Sequence, residues 1–72
     1  MGREQIERDL TQAEGHVRQG EQHILCQREL ITDVERDGHD ISEAQALLAL
    51  FDETLCRHIE YRNRLTRDLD AL

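Results

Sequence analysis

A chain of 72 residues can form one domain, and a core of that size is marginal without oligomerisation, a metal or disulfides. The formal net charge of −7 argues against a surface that follows nucleic-acid phosphates. No apolar run approaches the ~18 residues of a membrane span, and no signal-peptide core is present. We therefore expect a cytoplasmic protein in which Cys26 and Cys56 stay reduced.

The first predicted element is a long helix from about residue 3 to residue 37. Its apolar residues recur at steps of three and four, which is typical of one helix face packed along a seam. The chain contains no proline, so no residue forbids an unbroken helix. The predicted seam positions on this helix are Ile6, Leu10, Ala13, Val17, Gly20, Ile24, Gln27, Ile31 and Val34.

The second predicted element is a tight turn over residues 38–40, within Asp37-Gly38-His39-Asp40. Gly38 suits the left-handed position that follows a helix. Asp40 with Glu43 fits a capping box that begins the next helix, and Ser42 with Gln45 is an alternative box. A link this short forces the two helices to run antiparallel.

The third element is a helix from about residue 41 to residue 70. Its seam positions are Ile41, Ala44, Leu48, Phe51, Leu55, His58, Arg62, Leu65, Leu69 and Leu72. Facing seam positions on the two helices have residue numbers that always sum to 75, as for Ile24 with Phe51 and Leu10 with Leu65. The sequence thus predicts an all-α, antiparallel two-helix hairpin, coiled-coil-like, as the single domain of residues 1–72.

Four seam positions are not large apolar residues: Gly20, Gln27, His58 and Arg62. Polar seam residues fix register at some cost in stability, and Gly20 leaves room for Leu55. Arg62 faces Ala13, so we expect its guanidinium to extend toward Glu14 or Asp9.

The two sides of the seam differ in chemistry. The acidic flank comprises Glu7, Glu14, Glu21, Arg28 and Glu35 with Gln45, Asp52, Ile59 and Thr66, and it is expected to face water. The histidine flank comprises Asp9, His16, His23 and Leu30 with Leu47, Thr54, Tyr61 and Asp68, and Leu50 and Cys26 adjoin it. We expect Leu30 to contact Leu47 across the hairpin.

Because leucine is in surplus on this side, the sequence predicts association there. The predicted interface comprises His23, Cys26, Leu30, Leu47, Leu50, Thr54 and Tyr61. The leading arrangement is a twofold dimer that forms a four-helix bundle. A tetramer, or domain swapping at the turn, is left open. Charging His16 or His23 is expected to weaken association at low pH.

The sequence predicts no catalytic, cofactor or metal site. His16 and His23 lie ~10 Å apart along a helix, too far for one ion. His23 with Cys26 would give an incomplete coordination shell, and neither Glu-x-x-His pairs nor Cys-x-x-Cys spacing is present. Cys26 and Cys56 do not face each other, which argues against an intrachain disulfide. No serine nucleophile with a base is apparent.

Residues 27–65, QRELITDVERDGHDISEAQALLALFDETLCRHIEYRNRL, resemble short uncharacterised proteobacterial proteins with an ERDGHD turn before an alanine- and leucine-rich helix. This resemblance implies no activity. In architecture alone the chain resembles the Rop hairpins, and that resemblance implies a dimeric four-helix bundle but not RNA binding, which needs a basic face.

Three other functions remain as alternatives to a self-associating scaffold. Nucleic-acid binding would depend on Arg57, Arg64 and Arg67, which acidic residues interrupt. A metal-dependent sensor would depend on the histidines. A small regulator would bind an unidentified protein partner by placing a helix in its groove.

Overall fold

The computed structural model describes residues 2–72 and consists of two long helices joined by a short turn. Helix α1 spans Gly2–Arg36 and helix α2 spans Ser42–Asp70. The two helices pack along their length and form a rod of 55 × 14 × 13 Å. The all-α helical hairpin predicted from the apolar spacing is therefore confirmed.

The end of α1 has the geometry that the sequence predicts around Gly38. Gly38 has a φ of 82°, in the left-handed region that glycine adopts without a Cβ penalty. The backbone N–H of Gly38 donates to the carbonyl of Glu35 at 3.0 Å, and that of His39 donates to the carbonyl of Val34 at 3.1 Å. These two bonds form a Schellman motif, which satisfies the last carbonyls of α1 and reverses the chain.

The start of α2 agrees only in part with the predicted capping box. The Asp40 carboxylate accepts hydrogen bonds from the backbone N–H of Ser42 at 2.9 Å and from its hydroxyl at 2.7 Å. However, α2 begins at Ser42, and Ile41 occupies the cap position without a side-chain cap bond. The two bonds from Ser42, the backbone bond foremost, hold the pKa of Asp40 below its ordinary value.

The predicted seam lies between the helices. Each of its positions is buried or half-buried, apart from Leu72. The buried residues are Ala13, Val17, Ile24, Gln27 and Leu65. The prediction for Leu72 is wrong: it lies beyond the end of α2 and is 67% exposed, because the seam cannot continue past the last helical turn.

The contact of Gly20 with Leu55 shows the register in which the two helices pack. A Cβ atom built on Gly20 would lie 3.1 Å from Cδ1 of Leu55, so these two residues are in close contact across the seam. Their numbers sum to 75, as the sequence predicts. The glycine leaves space for a leucine that would otherwise push the helices apart.

The polar seam residues find different partners from those expected. Gln27 is buried, and its side-chain Nε2 donates to the carbonyl oxygen of Ala44 at 2.9 Å, which ties α1 to the first turns of α2. Arg62 does not reach Glu14 or Asp9. Its guanidinium donates instead to Oδ1 of the adjacent Asn63 at 3.3 and 3.2 Å.

Candidate interaction surface

The histidine flank forms a continuous shallow groove along one side of the seam. Near mid-rod, a groove of about 150 Å³ is lined by His16, Gln19, Gly20, His23, Phe51, Thr54 and His58. Toward the turn it continues as a groove of about 320 Å³ lined by His23, Cys26, Gln27, Leu30 and Phe51. No Asp or Glu lines either groove, so this side presents an apolar floor with imidazole, thiol and amide edges.

Two aromatic contacts cross the seam within this groove. The ring centroids of His16 and His58 lie 5.1 Å apart, and those of His23 and Phe51 lie 5.7 Å apart. Sequence reasoning placed His58 on the seam and His16 on the flank without pairing them. The residue numbers of facing seam positions sum to 75, and those of His16 and His58 sum to 74. The register could therefore have predicted that these two rings are neighbours.

The predicted interface leucines remain exposed on this side. Leu30 is 49% exposed, Leu47 is 41% exposed and Leu50 is 56% exposed. Whatever contact Leu30 and Leu47 make within the hairpin leaves about half of each side chain in water. Of the other predicted interface residues, Cys26, His23, Thr54 and Tyr61 are also exposed. All seven predicted interface residues are therefore accessible to solvent in a single hairpin.

The acidic flank contains one residue that sequence reasoning missed. Leu25 is 54% exposed and lies in a groove of about 310 Å³ on that side, whose other lining residues are Glu21, Ile24, Arg28, Asp52 and Leu55. The acidic flank therefore has one exposed leucine, Leu25, and three charged residues surround it: Glu21, Arg28 and Asp52. Charges around an apolar spot raise the cost of desolvating it, which disfavours this side as an interface.

A third concave surface lies on α2 near the chain termini. It has a volume of about 410 Å³ and is lined by Arg57, Glu60, Tyr61, Arg64 and Arg67. Within residues 2–72 the ion pairs are Arg3–Glu7 and Arg36–Asp33, so none of these arginines is paired with a carboxylate. The three arginines singled out in the sequence thus share one surface, which we call the arginine–tyrosine pocket.

The cysteines and histidines do not assemble a metal centre in the part of the chain that the structure describes. Across residues 2–72, no group of three or more His, Cys, Asp or Glu side chains could hold a metal ion. Cys26 and Cys56 are exposed free thiols. The side-chain Nε2 of Gln22 donates a weak hydrogen bond to the Sγ atom of Cys26 at 3.9 Å.

Neither helix, over the described residues, is long and apolar enough to cross a bilayer. No known protein family, curated protein or solved structure matches the chain. The surfaces of the hairpin are therefore the basis for a functional proposal.

Proposed function

We propose that the chain is a small self-associating helical module without catalytic activity, which acts in interaction or scaffolding and associates through the histidine flank. The observation that carries this proposal is the exposure of Leu30, Leu47 and Leu50 on a side whose groove contains no carboxylate. Burying half-exposed leucines against a second chain stabilises association by roughly 25 cal/mol per Å² of apolar surface removed from water.

The total surface of the hairpin supports association. It exposes 5598 Å², whereas a compact monomer of 8.4 kDa exposes about 4,600 Å². The excess of about 1,000 Å² is close to the ~800 Å² that each partner buries in a stable interface. No large side chain within residues 2–72 is fully buried, so a single hairpin has a thin core. A second hairpin would thicken it.

A twofold dimer that forms a four-helix bundle is the arrangement that best fits these features. Two hairpins that face each other through the same flank close the surface, and no leucine-rich side is left open. A cytoplasmic location is part of this proposal, and the exposed free thiols of Cys26 and Cys56 are compatible with it.

The test is the mass of the protein in solution, measured by light scattering on the native chain and on two variants. The native chain is expected at twice its 8.4 kDa monomer mass. The double substitution Leu47→Glu with Leu50→Glu should reduce the mass to that of a monomer, because two carboxylates would be desolvated in the interface.

The matched control is Leu25→Glu, on the acidic flank. Leu25 is 54% exposed and Leu50 is 56% exposed, so the two positions lose similar apolar surface. Leu25→Glu should leave the dimer mass unchanged, with helix content checked by circular dichroism for all variants. A native mass of one chain at every concentration, or dissociation by Leu25→Glu as well, would refute the proposal.

A further inference from the structure

The charge of the hairpin is divided unevenly between its two ends. We call residues 21–54 the turn half, and residues 2–20 together with 55–72 the terminal half. The turn half contains two arginines against nine acids, a net charge of −7, and the terminal half contains seven arginines against seven acids. The formal net charge of −7 therefore belongs entirely to the turn half.

The arginine–tyrosine pocket lies in the terminal half. Tyr61 in this pocket is 45% exposed and is the large apolar side chain on that part of the surface. The arginines around it carry fixed positive charge and have no carboxylate partner within the described chain. One end of the rod thus presents an aromatic ring among arginines, and the other presents leucines among acids.

We propose that the dimer is antiparallel, so that the turn half of each copy docks on the arginine–tyrosine pocket of the other. This proposal rests on the proposed self-association and specifies its orientation. The twofold axis would pass near Gly20 and Leu55, which lie at the middle of the rod because Gly20 is near the centre of α1.

The heights of the residues along the rod match in this arrangement. At 1.5 Å per residue, Leu47 and Leu50 lie about 12 and 8 Å from Leu55 toward the turn, and Tyr61 lies about 9 Å from it toward the termini. The axis therefore brings Tyr61 of one copy level with the gap between the two leucines of the other.

The charged residues match in the same way. Arg57 and Glu53 lie about 3 Å on opposite sides of Leu55, and Arg67 and Glu43 lie about 18 Å on opposite sides. The same axis therefore brings these two arginines of one copy level with acids of the other, whereas Arg64 is level with Ala46. Electrostatic complementarity of this kind fixes the orientation of an interface.

The competing arrangement aligns the two turns at the same end. It would let the leucine surfaces meet each other, but it would also place two halves of net charge −7 side by side. Like charges within the Debye length of ~8 Å at physiological salt repel each other. The antiparallel arrangement avoids this repulsion and still covers the leucines, with Tyr61 as their apolar partner.

The experiment is a distance measurement between spin labels in the assembled protein. A single label is introduced by His39→Cys in a chain that carries Cys26→Ser and Cys56→Ser, and the mass of this chain is checked first. In the antiparallel dimer the two turns lie at opposite ends, separated by about the 55 Å length of the rod. A separation of about 20 Å, two helix diameters, would overturn the orientation and leave self-association standing. A monomer mass without a dipolar signal would overturn both.

Charge exchange gives an independent test of the same contacts. Arg57→Glu with Arg67→Glu should weaken dimerisation roughly tenfold, and adding Glu43→Arg with Glu53→Arg should restore it. Arg8→Glu with Arg18→Glu is the matched control, because it changes the net charge equally in the same half but outside the pocket, and it should weaken dimerisation less. Equal weakening by both pairs would overturn the proposal.

The same variants also test a polyanion as the occupant of the pocket. Native chain is titrated with a single-stranded RNA oligonucleotide at ~0.15 M salt, and we expect no binding. RNA binding that Arg57→Glu with Arg67→Glu abolishes, while the dimer mass stays unchanged, would assign the pocket to a polyanion and overturn the proposal.

Discussion

The terminal half and the turn half of the hairpin use their apolar residues differently. In the terminal half, Ala13, Val17 and Leu65 are buried between the helices. In the turn half, Ile24 and Gln27 of α1 are buried but α2 contributes no buried residue. Four of the six large hydrophobic side chains that stay exposed within residues 2–72 are found in this half: Leu25, Leu30, Leu47 and Leu50. The two halves therefore differ mainly in α2, and the proposed association would cover three of the four exposed leucines of the turn half: Leu30, Leu47 and Leu50.

The largest effect is expected from Leu65→Ala, which removes the buried residue of α2. Leu65 is 6% exposed, and a buried Leu→Ala change costs about 2–5 kcal/mol of unfolding free energy. Leu25→Ala removes the same atoms from a side chain that is 54% exposed and should cost roughly 0.5 kcal/mol or less. Urea unfolding followed by circular dichroism measures both. Similar losses for the two variants would mean that Leu65 is not packed more closely than Leu25 in solution.

The next effect separates a glycine on the seam from one outside it. Gly15→Ala should stabilise the protein by about 1 kcal/mol, since alanine is the better helix former and a Cβ there meets nothing within 4 Å. Gly20→Ala should gain less, because its Cβ would lie 3.1 Å from Leu55 and the leucine must shift. The measurement is again the free energy of unfolding in urea. A larger gain at position 20 than at position 15 would contradict the close packing at mid-rod.

A smaller effect is expected from pH, through the contact between His16 and His58. The groove that contains them also contains His23 and is lined by no carboxylate. The rings of His16 and His58 lie 5.1 Å apart on the flank that the proposed interface would cover, so the sequence-based expectation of weaker association at low pH is tested here: the fraction of dimer should fall between pH 8 and pH 5.5. Because His16 is exposed to water, the effect on association should be small.

Light scattering and thermal unfolding at the two pH values measure this effect. His16→Gln should reduce the pH dependence, whereas His39→Gln, in the turn, should leave it unchanged. An oligomer mass that stays constant between pH 8 and 5.5 would remove the histidines from any role in association.

The smallest effect concerns Asp40 at the start of α2. Hydrogen bonds from Ser42 lower the pKa of Asp40 in the folded state, so its contribution is present above its unfolded pKa. The contribution is then lost as the pH falls through the lowered folded value. Asp40→Ala should therefore lower the melting temperature slightly at pH 7, and the difference from the native chain should vanish in strong acid. Asp37→Ala is the control, because no hydrogen bond to the Asp37 carboxylate is formed within residues 2–72.

The seam and the turn could be predicted because each depends on a pattern that only one structure satisfies. Steps of three and four fix the buried face, and Gly38 fixes the end of α1. The prediction that Leu72 lies on the seam was wrong, because apolar spacing does not show where the last helical turn ends. The bonds of Arg62 to Asn63 depend on rotamers, which the spacing does not determine. The contact of His16 with His58 was not predicted, because only seam positions were paired with each other and His16 lies on the flank.

The candidate surface was predictable to a different degree. Surplus leucine led to the predicted interface on the histidine flank. Leu30, Leu47 and Leu50 are exposed in one hairpin, and the interface itself stays a prediction. Leu25 was missed because it lies one step outside the acidic stripe, where a single leucine breaks no pattern. The uneven charge of the two halves could be used to propose an orientation only with the rod geometry. That geometry gives the distances of Arg57, Arg67, Glu53 and Glu43 from the middle of the rod.

The most direct test of the account measures which leucines are covered in the native protein. In a single hairpin, Leu25, Leu47 and Leu50 are 54%, 41% and 56% exposed. A dissolved paramagnetic probe broadens the NMR signals of methyl groups that it can approach. We expect the assembled protein to show strong broadening at Leu25 and protection at Leu47 and Leu50. Equal broadening at all three leucines would contradict association through the histidine flank.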